Sequence, residues 1–184
     1  MKFSSSLIFC SLLVATAAAA GNAPAANAPA TLPEVGKPAP AFQLPTQTGD
    51  KVNLEQFHGE WVVLYFYPKD ATSGCTVEAN NFQRDLAKFE KRKAVVLGVS
   101  VDTVDSHKAF CAKEGLHFKL LADPDFAVTT SYGVLKEREG TKYARRVTFL
   151  IDPMGVVRKV YDKVDVTKHS EEVLADLDAL RKVD

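Results

Sequence analysis

VVLYFYPKDATSGCTVEANNF, residues 62–82, runs from a continuous apolar stretch through a polar loop into an amphipathic pattern, and it places Cys75 at the second junction. Val62 to Tyr67 are apolar, aromatic or β-branched, which suits a strand covered on both faces. Pro68 has no N–H to give a ladder and ends the strand. Beyond Lys69–Gly74, the apolar residues Val77, Phe82, Leu86 and Phe89 recur at intervals of five, four and three, close to one helical face. Cys75 therefore opens a helix. The unpaired N–H groups and the macrodipole at a helix N-terminus favour an anion, so a thiol there ionises more readily than one in an apolar core. A free cysteine is more commonly a small buried apolar residue. Thr72, Ser73 and Gly74, however, make a tight polar approach that packing alone does not require, and they mark Cys75 as a candidate nucleophile.

Strand and helix signals alternate on both sides of this stretch. Phe42 to Leu54 alternates apolar and polar residues around the turn Thr48-Gly49-Asp50, predicting a hairpin. Ala94–Ser100 reads as a second buried strand, followed by a helix to about Glu114 that Asp102, Asp105 or Ser106 can cap and Gly115 stops. Phe118–Leu121 is a short strand, and Asp123-Pro124-Asp125 turns into a helical stretch ending near Tyr132-Gly133. Val147–Ile151 and Val156–Tyr161 are strands joined by a turn at Asp152–Gly155, and Glu171–Leu180 is an amphipathic helix. This order predicts an α/β domain, a mixed central sheet with helices on both faces and an N-terminal β-hairpin.

The pattern Pro68-x-x-x-Thr72-x-x-Cys75 resembles the active-site signature of the peroxiredoxins, the AhpC/TSA family, and FYPKDATSGCTVEA is similar to the bacterioferritin-comigratory or PrxQ branch. The resemblance runs from about Val35 to the C-terminus. It implies a thioredoxin-like fold and a thiol peroxidase that reduces hydrogen peroxide and organic hydroperoxides through a sulfenic acid on Cys75. It assigns the Thr72 hydroxyl and backbone N–H groups near Gly74 and Cys75 to the peroxide oxygens, with Pro68 shielding the pocket. The family's arginine falls on Arg146, whose fixed charge would favour the thiolate and hold the peroxide. Arg145 points to the opposite face of an extended strand and is read as a surface charge. Glu78 matches an acidic position of the branch, where it would organise the arginine or support the helix start.

A sulfenic acid needs a second thiol to regenerate it. Where many members of the branch carry that cysteine, five positions after the first, this chain has Asn80. The other pattern of the branch puts it on the following helix, where Cys111 stands 36 residues after Cys75. Cys111 is thus the candidate resolving residue, with an inert core thiol beside Phe110 as the alternative. A disulfide requires Cα atoms within about 7 Å, so a longer starting separation demands that the Cys75 helix unwind during turnover. The resemblance implies a thioredoxin-like protein reductant, no cofactor, and a protein that is often a monomer.

Residues 1–20 read as a secretory signal peptide: a single charge at Lys2, an apolar run from Leu7 to Val14, and small residues ending at Ala20-Gly21. No apolar run approaches the roughly 20 residues of a membrane span, so no stable membrane insertion is expected after processing. Phe9 before Cys10 is bulky where lipoprotein processing wants a small residue. Residues 21–33, rich in Ala, Pro and Asn, form a tether, and residues 34–184 form the domain. Loss of the leader removes Lys2 and Cys10, leaving 22 basic and 23 acidic residues and the pair Cys75 and Cys111. Nothing in that balance invites nucleic acid. An exported, periplasmic protein with a cysteine pair is the expectation. His58, His107, His117 and His169 lack metal-ligand spacing and read as surface or capping residues. Lys91–Lys93 read as a solvated helix end.

Two other readings share these features. An exported thiol-disulfide oxidoreductase would share fold and compartment but normally needs Cys-x-x-Cys, and Thr72 occupies the partner's place. A chaperone or binding module with a structural disulfide would be inert toward peroxide.

Overall fold

The computed structural model describes residues 31–182, so the leader, Cys10 and the tether before residue 31 lie outside the described residues. The strands β1 (Gln43–Pro45) and β2 (Lys51–Asn53) form the expected antiparallel hairpin, turning at Gly49 with φ 88°. A 3₁₀ turn at Leu54–Phe57 follows, fixed by reciprocal Asn53 and Gln56 bonds. The chain then runs through β3 (Trp61–Phe66), α1 (Ser73–Glu90), β4 (Ala94–Ser100), α2 (Val104–Glu114), β5 (Lys119–Ala122) and α3 (Ala127–Ser131). It closes with β6 (Leu135–Arg138), β7 (Thr141–Ala144), β8 (Val147–Ile151), β9 (Val157–Tyr161) and α4 (His169–Leu180).

Five strands build the central sheet in the order β5-β4-β3-β8-β9. Those before α3 pair in parallel, while β8 and β9 join antiparallel, giving a mixed sheet. The central strand β3 is buried along its whole length, as its unbroken apolar run requires. Its residues alternate between two cores. Val63, Tyr65 and Tyr67 pack with α1, α2 and α4, while Val62, Leu64 and Phe66 pack with α3 and the N-terminal hairpin. A Cβ at Gly98 would come within 2.7 Å of the Tyr65 ring, so this strand glycine makes the room that ring occupies beneath α1.

Two links, a hydrogen bond and an ion pair, seat α1 and the residues just after it on α4. Asp85, with no side-chain exposure, accepts from Arg84 Nη2 at 2.6 Å, Lys88 Nζ at 2.8 Å and Ser170 Oγ at 2.8 Å. Arg92 donates through both arms of its guanidinium to Asp178 at 2.7 Å. The basic end of α1 is therefore a docking point at Arg92, not only a solvated helix end. Two further sequence expectations change. Thr103, not Asp102, Asp105 or Ser106, caps α2 by accepting from Ser106 N; Asp102 instead accepts from Ser100 Oγ and Asp70 N. His107 and His169 are fully buried rather than at the surface, because each finds an internal partner, in Asp70 and Thr148. His58 and His117 are exposed. The hairpin β6–β7 has no counterpart in the sequence reading; its strands are short and mostly exposed, and its turn uses Glu139 and Gly140 at positive φ.

Candidate active site

The polar loop after β3 folds back on itself before α1 begins. Ala71 takes a left-handed φ of 57°, a costly conformation for a residue with a Cβ, and Thr72 caps the helix from an extended conformation. The exposed Thr72 hydroxyl donates to Lys69 O at 3.0 Å and makes no bond to the first N–H groups of α1. Pro68 is half-buried and forms part of the wall of an open cavity of about 380 Å³, which Val101 and Tyr143 share. Cys75 lies in the first turn of α1 and is 2% exposed.

Arg146 closes the site from the opposite side. It stands directly before β8, brought there by the β6–β7 hairpin, whose exit is held by Arg145 N donating to Val134 O at 2.9 Å. Its Nη2 donates to Cys75 Sγ at 3.2 Å, and its Nη1 donates to Glu78 Oε2. A Cβ on Gly74 would sit 3.6 Å from the guanidinium, an ordinary contact, so the arginine packs directly over the backbone of this turn. Glu78 is one turn beyond Cys75 and buried. Its burial pushes the carboxyl up to about 7 although Arg146 opposes the shift, and its Oε1 has no partner among the described residues. For Arg146, burial pulls against the charge, yet Glu78 and Cys75 more than offset it and raise its pKa. Arg145 is half-buried, with its Nε enclosed and without a partner among the described residues, so it is not a freely solvated surface charge.

Cys75 and Cys111 are both free thiols, and both belong to the core cluster on the α1 side of the sheet. Cys111 sits on α2, where burial and then the charge of Asp70 push its thiol up to about 11. Asn80 Nδ2 donates to Glu114 Oε2 at 3.1 Å and His117 N donates to Gln83 Oε1 at 2.7 Å, tying the middle of α1 to the end of α2.

Sequence reasoning missed two groups beside these residues. Asp70, in the loop before Cys75, accepts from Tyr67 Oη at 2.7 Å and Ser106 Oγ at 2.7 Å and stands 2.8 Å from His107 Nδ1. Burial would raise the Asp70 carboxyl, but the bonds and charge of His107, with the other donors, hold it below its ordinary value. His169, 2.8 Å from Thr148 Oγ1, is held down to about 4 by burial and by the charge of Arg146. Spacing held the only signal for the first group: His107 lies one helical turn before Cys111 on α2.

Residues 35–160 match the model of the AhpC/TSA family. The chain belongs to the AhpC/TSA family. Within it, the relatives place the chain in the Bcp/PrxQ peroxiredoxin branch. A putative peroxiredoxin Bcp of Coxiella burnetii is 47% identical over 148 residues, covering 78% of this chain and 98% of that protein. Peroxiredoxin Bcp of Escherichia coli K12 is 39% identical, covering 77% of this chain and 93% of that protein. A Cys-to-Ser mutant of Xylella fastidiosa PrxQ superposes with a TM-score of 0.78 at 36% identity, covering 82% of this chain and 99% of that one. Xanthomonas campestris bacterioferritin comigratory protein, solved in a study of alkyl peroxide reduction, gives 0.71 at 41% identity, covering 75% and 90%. The mixed sheet, the flanking helices and the N-terminal hairpin are those of these thioredoxin-like AhpC/TSA structures.

Proposed function

We propose that the chain is a thiol-specific peroxidase that reduces hydrogen peroxide and organic hydroperoxides through Cys75. The contact of Arg146 with Cys75 Sγ at the first turn of α1, in a chain of the AhpC/TSA family, carries this reading. Sγ attacks one peroxide oxygen in line with the O–O bond, the other oxygen leaves with the bonding pair and is protonated, and Cys75 becomes a sulfenic acid. Arg146 and the N–H groups of the first turn of α1 stabilise the negative charge that grows on the departing oxygen. Thr72 supplies a hydroxyl to the peroxide after giving up Lys69 O, and Pro68 limits access of water. Glu78 holds the second arm of Arg146 and so fixes its fork.

Cys111 then resolves the sulfenic acid as an intramolecular disulfide, and a thioredoxin-like protein reduces it. Both cysteines are buried in one core cluster, and in this reading the first turn of α1 opens to bring the two sulfurs together. The peroxiredoxin names of the relatives favour this chemistry over a thiol-disulfide oxidoreductase, and Thr72 where a Cys-x-x-Cys partner would stand supports the same choice.

We place the protein in the periplasm as a processed monomer, with a reductant on the same side of the membrane. The pattern of residues 1–20 supports export and processing, and the monomer is what the resemblance to this branch implies. Cell fractionation with mass determination of the processed N-terminus tests it; a cytoplasmic, unprocessed protein would overturn it.

Peroxide consumption by variants tests the chemistry. Cys75→Ser abolishes turnover, whereas Cys111→Ser is oxidised once and then stalls with a thioredoxin-like donor. A Cys75→Ser protein that still consumes peroxide would refute the reading.

A further inference from the structure

The resolving step poses a problem that the site described above does not solve. A thiol attacks a sulfenic acid as the thiolate. Cys111 is buried and its thiol is pushed up to about 11, so almost none of it is ionised at neutral pH. A base beside the enclosed thiol would supply the thiolate.

We propose that His107 is the general base that takes the proton of the Cys111 thiol, with Asp70 holding its ring; this rests on the reading that Cys111 resolves Cys75. His107 is 0% exposed and its Nδ1 lies 2.8 Å from Asp70 Oδ2. With the Nδ1 proton directed at that carboxylate, Nε2 keeps its lone pair. This Nε2 is buried and has no partner among the described residues, which is costly for a polar atom taken out of water. The residue one turn on, on the same buried face of α2, is Cys111. Tyr67, whose hydroxyl bonds Asp70, and Cys111 belong to the same buried cluster, which sets the carboxylate, the imidazole and the sulfur in one neighbourhood. The arrangement follows the order orienting carboxylate, imidazole and nucleophile.

The groups facing His107 are few. From β3 and its loop come Tyr67, whose hydroxyl donates to Asp70 Oδ1 and lies 3.4 Å from His107 Nδ1, and Asp70 itself; from α2 comes Ser106, which donates to Asp70 Oδ2. Asp102 fixes the Asp70 backbone N–H at 2.9 Å. Every one of these contacts lies on the Asp70 side of the ring, and none occupies Nε2. In the closed, reduced protein Nε2 and the Cys111 sulfur are not hydrogen-bonded, and the transfer occurs as Cys111 turns toward Cys75.

The step balances without an added reactant. The Cys111 S–H bond breaks and its proton goes to Nε2. The sulfur lone pair forms the S–S bond to Cys75, the Cys75 S–O bond breaks, and the hydroxide that leaves is protonated to water, with the His107 proton restoring the count. Cys111 is oxidised and the Cys75 sulfenic acid is reduced.

The test is single-turnover kinetics of full-length protein with hydrogen peroxide, reading loss of the Cys75 thiol and appearance of the disulfide separately, from mildly acidic to strongly alkaline pH. In the parent, disulfide formation should stop rising well below the thiol's own value of about 11. In His107→Gln it should fall by about 10²-fold or more at neutral pH and climb with pH toward the thiol's range, while the first oxidation of Cys75 keeps its rate. A variant with the parent's rate and pH profile would overturn the proposal. A variant too damaged to oxidise Cys75 leaves the decision to the parent's profile, where a plateau supports the base and an unbroken rise overturns it. If the parent forms no Cys75–Cys111 disulfide at all, the resolving role of Cys111 fails first and His107 has no proton to take.

Discussion

Arg146 Nη2 donates to Cys75 Sγ at 3.2 Å, joining the start of β8 to the first turn of α1 across 71 residues of sequence. The other arm of the same guanidinium reaches Glu78, one turn further along α1. A planar fork can hold two acceptors in one geometry, and a lysine cannot. The sulfur, the cation and the carboxylate are therefore one unit, set by where the β6–β7 hairpin releases the chain.

Replacing Arg146 by Lys should slow the first oxidation of Cys75 by about 10²- to 10³-fold, the scale of losing one preorganised donor at a developing anion. Stopped-flow loss of the Cys75 thiol under limiting peroxide measures it. Arg145→Lys should leave that rate close to the parent's. If Arg145→Lys proves the slower of the two, the motif has been carried over to the wrong arginine.

Much of this was legible before any coordinates. The apolar run of β3, the break at Pro68 and the periodicity of α1 placed Cys75 on a helix start, because strand burial, proline chemistry and helical spacing act locally. The hairpin before Arg146 was not legible: its strands expose most of their side chains, so they carry no alternation to read, and its turn asks a glutamate to take positive φ. The burial of His107 and His169 was equally hidden, because the partners that satisfy them, Asp70 and Thr148, come from 37 and 21 residues away. A histidine's spacing does not reveal an acceptor that only the fold supplies.

Stability should depend on pH through two buried groups with opposite signs. The Glu78 carboxyl stands at about 7 in the folded protein against 4.5 ordinarily, so between those values the folded chain binds more protons and stability falls as pH rises. His169 stands at about 4 against 6.5, so the unfolded chain binds more protons there and stability rises with pH through that window. The two slopes oppose each other from 4.5 to 6.5, and only the Glu78 loss continues to about 7. In urea unfolding across this range, Glu78→Gln should gain stability relative to the parent as pH rises, and His169→Gln should gain relative to the parent as pH falls. A Glu78→Gln protein that loses ground with rising pH would contradict the assigned cause.

Opening of α1 should be resisted by its tie to α2. Asn80 Nδ2 donates to Glu114 Oε2 across an exposed gap, a bond of roughly 0.5–1.5 kcal/mol at most. Asn80→Ala should therefore speed formation of the Cys75–Cys111 disulfide by about two- to tenfold, with the first oxidation unchanged. Rapid-quench alkylation at successive times reads both steps. Slower disulfide formation in Asn80→Ala would show that this tie guides the opening instead of restraining it.

The central claim is a cycle carried by two cysteines, Cys75 as the attacking sulfur and Cys111 as its partner. Intact mass and non-reducing peptide mapping of the reduced protein after one equivalent of hydrogen peroxide address it directly. The account predicts a loss of two hydrogens and a peptide joined through Cys75 and Cys111. A gain of oxygen on Cys75 with Cys111 still free would contradict the two-cysteine cycle, and an unchanged mass would contradict the peroxidase itself.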